Sequence, residues 1–180
     1  YPIHGDFKVS DMQPRSFTPD QLFAHTRANG VGRVVLIQMS FYRFDNRYML
    51  ECIRQWPGVF AGVAVIDETA GGIVETMVRL KDQGVRGFRI HPGPSKVEAW
   101  LDSPGMATMW KVGAEEGMAI CPLINPAALP ALDRMCGRFP RTRVVVDHFA
   151  RIGVDGEFRS GDVDALCRLS RHPHVYVKTS

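Results

Sequence analysis

The sequence predicts an α/β protein built on a parallel sheet, and three observations predict it. Six short apolar segments alternate with six helix-like segments along the 180 residues, and such alternation implies parallel strands covered by helices. The strand-like segments recur about every 25–30 residues, near the length of one βα unit. Most of these segments also end in polar or ionisable residues: Gln38 and Ser40, Asp67, Arg89 and His91, Asn125, Asp147 and His148, Lys178 and Ser180.

The elements follow in order. Residues 1–17 carry Pro2 and Pro14 and little periodicity, so they read as an irregular arm. Thr18-Pro19-Asp20 opens a helix over 18–28, with Thr18 as N-cap and Pro19 at the first helical position, and Asn29-Gly30 closes it. The first strand is 33–38, the loop 39–43 follows, and a helix spans 46–55 before Pro57. The second strand is 59–66, the next helix 70–83 closed by Gly84, and the third strand 85–90, ending at His91-Pro92-Gly93-Pro94. A longer loop over 95–104 leads to a helix over 106–116, a fourth strand over 118–124 and a helix over 126–136. The fifth strand is the valine run Val144-Val145-Val146, a β-branched stretch of the kind buried on both faces. A glycine-containing loop over 153–161 precedes a helix over 162–170, with Asp162 as a possible cap, and 175–178 is the sixth strand.

Two architectures accommodate this order, an open doubly wound sheet and part of a (β/α)8 barrel. A nucleotide-binding open sheet carries a glycine-rich turn after an early strand, and neither G-x-G-x-x-G nor G-x-x-x-x-G-K-[ST] occurs here. Polar residues at the ends of many strands are what a barrel site needs, whereas an open sheet concentrates its site at one switch point. The barrel is therefore expected, as a single domain over 1–180. A complete barrel has eight strands and about 250 residues. Six strands, a first residue Tyr1 without an initiator Met, and a stop at Ser180 directly after a strand lead us to expect an incomplete one.

Composition narrows the function classes. Hydrophobic residues make up 45% and charged residues 23%, as in ordinary globular chains, and the net charge of +3 comes from scattered Lys and Arg rather than a basic block. This disfavours a nucleic-acid partner and leaves a small-molecule substrate as the expected one. No apolar run approaches the roughly 18 residues of a membrane span, and no secretory signal is visible. Cys52, Cys121, Cys136 and Cys167 form no C-x-x-C pair and have apolar neighbours, so buried reduced thiols and a cytoplasmic location are expected.

Several motifs occur in a fixed order: Ala28-Asn29-Gly30-Val31 before Arg33-Val34-Val35-Leu36-Ile37-Gln38-Met39-Ser40, then Asp45-Asn46-Arg47, Gly84-Val85-Arg86-Gly87-Phe88-Arg89, Val146-Asp147-His148 with Arg151, and Val175-Tyr176-Val177-Lys178. Together, over most of residues 18–180, they resemble the amidohydrolase-related TIM-barrel hydrolases, in the branch of 2-pyrone-4,6-dicarboxylate lactonase and sugar lactonases. The resemblance implies that these six strands are about the second to the seventh of the barrel. It also implies a site made of a His-x-His on the first strand, a His on the sixth and an Asp on the eighth. His148 matches the sixth-strand His, while the first-strand pair and the eighth-strand Asp have no counterpart here. Metal-dependent relatives place a ligand His on the fifth strand, where this chain reads Met118-Ala119-Ile120-Cys121-Pro122-Leu123-Ile124. The resemblance therefore implies the metal-independent, lactonase-like branch, with no cofactor.

On these grounds His148 is the candidate general acid–base or carbonyl polariser, against the alternative of a core histidine bonded to backbone. Asp147, its strand neighbour, is expected to point away from the barrel interior and to be structural. Arg151 is a candidate for a substrate carboxylate, or else a surface ion-pair arginine. Arg89 and His91, two apart on one strand face, are candidates for an anionic subsite. Ser40 and Lys178, at strand ends, complete the candidate substrate-binding set. His172-Pro173-His174 looks like a metal motif, but it precedes its strand and so belongs at the opposite end of the barrel. The expected activity is hydrolysis of a lactone or related ester of a small carboxylated or sugar-derived compound. The alternatives are a hydrolase or decarboxylase of the same superfamily that depends on a divalent metal such as zinc, and a non-catalytic truncated barrel.

Overall fold

The structure is a computed structural model and describes residues 1–91 and 101–179. Pro92, Gly93 and Pro94, expected at the end of the third strand, most of the expected loop over 95–104, and Ser180 lie outside the described residues. Six strands form one sheet: β1 (Val34–Ile37), β2 (Phe60–Ala64), β3 (Val85–Ile90), β4 (Ala119–Pro122), β5 (Val144–Val146) and β6 (Val175–Val177). Every pairing is parallel, and the spatial order is the sequence order, β1 through β6. A doubly wound sheet reverses its strand order at a switch point. The unbroken order found here is that of a (β/α)8 barrel, of which this chain forms an arc of six strands.

The described α-helices fall where the hydrophobic periodicity places them: α1 (Pro19–Thr26), α2 (Arg47–Gln55), α3 (Ile73–Asp82), α4 (Pro104–Glu116), α5 (Leu129–Arg138) and α6 (Ser160–Arg168). Thr18 caps α1 as expected. Its hydroxyl accepts from the Gln21 N–H, and the Gln21 side chain accepts from the Thr18 N–H at 2.7 Å, a reciprocal capping box. Helix α4 starts two residues earlier than expected because Ser103 accepts from the Met106 N–H at 3.1 Å and Pro104 takes the first turn. Asp162 is not the cap of α6; it lies in the first turn, and the cap position is Arg159, whose side chain makes no capping bond.

Burial separates the two faces of the sheet. Phe60, Ala64, Phe88, Ile90, Ile120, Val144 and Val146 are buried together with Met77, Leu80, Met106, Trp110, Leu132 and Met135 of the helices. Each large aliphatic, Met or Phe side chain among them removed from water contributes about 1.5–3 kcal/mol. Strand alternation then puts Ala61, Val63, Gly87, Arg89, Ala119, Cys121 and Val145 on the opposite, inner face. The edge strands leave apolar side chains in solvent, with Val35 on β1 and Tyr176 on β6 each 56% exposed.

Polar ties fix the strand ends. The buried Gln38 amide donates to the Asp45 carbonyl at 2.6 Å. The buried Asn46 accepts from the Val65 N–H at 3.1 Å and donates to the Val65 carbonyl at 2.8 Å, joining the start of α2 to the end of β2. The Asp45-Asn46-Arg47 motif is therefore a splice between two strand ends. The arm packs on the turn after β1: the His4 N–H donates to the Phe41 carbonyl at 2.8 Å, Asp6 pairs with Arg43, and the Phe7 and Phe41 rings meet edge-on.

Of the four cysteines, Cys52, Cys121 and Cys136 are buried and free, whereas Cys167 is exposed, contrary to expectation. Helix α6 buries Leu166 and turns the next position to solvent. Alkylation of the native protein with iodoacetamide should modify one thiol per chain, at Cys167, as read by mass spectrometry. A second check concerns Gly105, where a Cβ would lie 1.7 Å from the Glu68 carbonyl oxygen. Gly105→Ala should cost about 2–3 kcal/mol in urea unfolding, because backbone has to move to admit the methyl group.

Candidate active site

The inner face gathers charge around one carboxylate. Asp147 is 2% exposed, directly after β5. Its Oδ2 accepts from Arg89 Nε at 3.0 Å and lies 2.9 Å from Arg89 Nη2; its Oδ1 lies 3.7 Å from Lys178 Nζ. The Arg89 side chain is 12% exposed and that of Lys178 36%. The carboxylate thus ties β3 to β5 and to the residue following β6. The expectation that Asp147 points away from the interior is wrong: it keeps the parity of Val145, two residues earlier, and so faces inward.

Arg89 reaches β5 across β4 because the intervening positions are small. Arg89 pairs in register with Cys121, and Gly87 with Ala119. A Cβ on Gly87 would lie 2.9 Å from the Ala119 carbonyl oxygen and 3.4 Å from Cys121 Sγ. Burial pushes the Cys121 thiol up to about 12, and the nearby Asp147 charge adds to the shift. The thiol therefore stays neutral beneath the ion cluster.

His148 begins an unusual turn. His148, Phe149, Ala150 and Arg151, none of them glycine, hold φ of 49°, 52°, 53° and 57°. Left-handed backbone costs L-residues about 1–2 kcal/mol each, so the surroundings must hold it. The Phe149 N–H donates to the Lys178 carbonyl at 2.8 Å, the Lys178 N–H donates to the Val146 carbonyl at 2.9 Å, and Ala150 is fully buried. This clip sends the chain sharply away from β5. It leaves His148 exposed beside the buried Asp147, with Arg151 half-buried at the end of the same turn.

The expected site residues therefore separate. Arg89 and Lys178 meet on Asp147, and His148 and Arg151 flank it on the left-handed turn. His91 is exposed just beyond β3, and Ser40 is exposed in a helical turn after β1, at the other edge of the sheet. His172 lies at the opposite end of β6 from Lys178, as expected, 2.7 Å from Asp133 of α5 and beside Arg171. Asp147 itself was misread from the sequence. Arginine and lysine at two other strand ends were a signal for a carboxylate between them, but nothing in the linear pattern told which one.

The profile of the amidohydrolase family matches residues 4–180. The chain belongs to this family. It is 29% identical over 168 residues to an L-fucono-1,5-lactonase of Burkholderia ambifaria, covering 92% of this chain and 58% of that protein. It is 27% identical over 172 residues to a 2-pyrone-4,6-dicarboxylate hydrolase of Comamonas testosteroni, covering 92% of this chain and 55% of that protein. The chain thus spans a little over half the length of these curated relatives. Among solved structures, a probable 2-pyrone-4,6-dicarboxylic acid hydrolase of Acinetobacter baumannii with citric acid bound superposes with a TM-score of 0.79 at 23% identity, covering 97% of this chain and 67% of that one. An amidohydrolase of Burkholderia multivorans with bound zinc gives 0.82 at 21% identity, covering 96% and 65%. These likenesses establish the barrel fold.

The described residues do not by themselves make up a metal-ligand set. Among the described residues no three His, Cys, Asp or Glu side chains converge on a common point. Both oxygens of Asp147 already face cations.

The left-handed turn gives a direct check. Ala150→Val places a β-branched side chain in left-handed backbone at a filled position and should cost about 3 kcal/mol in urea unfolding.

Proposed function

We propose that the protein opens a lactone or related ester of a small carboxylated or sugar-derived compound by attack of water. The observation that carries this reading is the convergence of Arg89 and Lys178 on the inner face beside the His148 turn, in a chain of the amidohydrolase family. The lactonase and the pyrone-dicarboxylate hydrolase among its curated relatives support the same chemistry.

In this reading His148 polarises the ring carbonyl or delivers a proton to the oxygen that departs. Water adds to the carbonyl carbon, the ring C–O bond breaks, and the products are a carboxylate and a hydroxyl group. Arg89, Lys178 and Arg151 hold the substrate's anionic groups, with His91 and Ser40 at the rim of the site. Asp147 is engaged by cations on both oxygens, so activation of the water falls to a group outside this cluster. The family resemblance assigns that duty to an aspartate of the eighth barrel strand. The six strands here correspond to about the second to the seventh, one domain over 1–180. No helix among the described residues is long and apolar enough to cross a membrane; buried free thiols agree with a reducing compartment such as the cytoplasm.

A second reading, a metal-dependent hydrolase or decarboxylase, is favoured by the zinc held in one solved relative. A panel of lactones assayed with and without a chelator separates the two. Full turnover after chelation supports the metal-independent reading, and loss restored by zinc supports the second. In either case His148→Asn should lower kcat by about 100-fold or more, the usual scale of a positioned acid–base group. Wild-type turnover in the variant would remove His148 from the mechanism.

A further inference from the structure

We propose that Asp147 is a positioning residue: it orients the Arg89 guanidinium and the Lys178 ammonium as a two-point clamp for the carboxylates of a polyanionic ligand. The inference rests on the reading of the inner face as the ligand site and adds what makes that site selective.

Geometry supports orientation rather than simple neutralisation. Arg89 turns its Nε and Nη2 to the same Asp147 oxygen, at 3.0 and 2.9 Å. The guanidinium is planar, so fixing that edge fixes the plane and commits Nη1 to a direction away from Asp147. The Lys178 ammonium faces the other oxygen at 3.7 Å and keeps donors for a second group. Two cations against one carboxylate leave one net positive charge in the cluster. Paired with Arg89 across the sheet, the buried Cys121 thiol stays neutral and adds no competing charge. A carboxylate 2% exposed that only locked strands together would need no cation open to solvent, yet Lys178 remains 36% exposed.

The test is calorimetric titration of citrate, a tricarboxylate probe, into the wild-type protein, Asp147→Asn and Arg89→Lys, with unfolding midpoints measured alongside. Asn keeps the shape of the carboxylate and removes its charge, so it separates two accounts with opposite signs. A positioning role predicts citrate binding weakened at least about tenfold in Asp147→Asn, because the guanidinium loses its fixed plane. A counter-ion role predicts tighter citrate binding, because the cluster gains a positive charge, and that result overturns the proposal. Arg89→Lys retains the charge but loses the planar fork; a loss of about tenfold supports orientation, and unchanged affinity overturns it. A lower unfolding midpoint with unchanged citrate affinity, or a wild-type protein that binds no citrate, likewise overturns it. Failure of the hydrolase reading is distinct: no lactone would turn over, while citrate binding and its response to the two variants would stand.

Discussion

A carboxylate almost wholly removed from water has to be answered by charge, and Asp147 is answered from two other strands. A buried ion pair broken on one side leaves an uncompensated charge that costs about 3–5 kcal/mol. Arg89 on β3, Asp147 after β5 and Lys178 after β6 therefore hold one another in place at the ends of their strands. The small residues of β4 follow from this constraint, since a larger side chain at Cys121 would stand between Arg89 and its partner. The left-handed turn follows as well. The chain leaves β5 sharply at His148, and the bond from the Phe149 N–H to the Lys178 carbonyl clips that departure to the strand that supplies the second cation.

The same arrangement accounts for how structure and chemistry share a small region. Asp147 holds cations, the exposed His148 sits on left-handed backbone, and Arg151 closes the turn. Strain of this kind persists only where the surroundings over-determine it. Here the fully buried Ala150 and the partly buried Phe149 and Ile152 packed against the core do so. Residues that stabilise the fold and the residues proposed to meet a ligand are thus neighbours in one short segment, 144–151.

Much of the fold was legible in the sequence. The strand order, the helices and the Thr18 cap followed from apolar periodicity, from Thr18-Pro19 and from glycines after helices, because these are local signals. Asp162 was misplaced as a cap because a nearby alternative start, at Ser160, differs little in local chemistry. Cys167 was misjudged because apolar neighbours in sequence do not share a helix face. The charged cluster around Asp147 was half legible. Arg89, Lys178, His148 and Arg151 stood out as ionisable groups at strand ends. The partner that joins the first two did not, because its facing was inferred from strict alternation with His148. Backbone that turns left-handed at His148 breaks that alternation, and no glycine in Asp147-His148-Phe149-Ala150-Arg151 announced the turn.

The measurement that tests the account most directly is a double-mutant cycle between Arg89→Ala and Asp147→Ala, read from urea unfolding. A carboxylate and guanidinium joined away from water should show a coupling of about 2 kcal/mol or more, with the double variant less destabilised than the sum of the singles. Additivity within about 0.5 kcal/mol would mean that the two side chains do not depend on each other, and the cluster would lose its place at the centre of this fold.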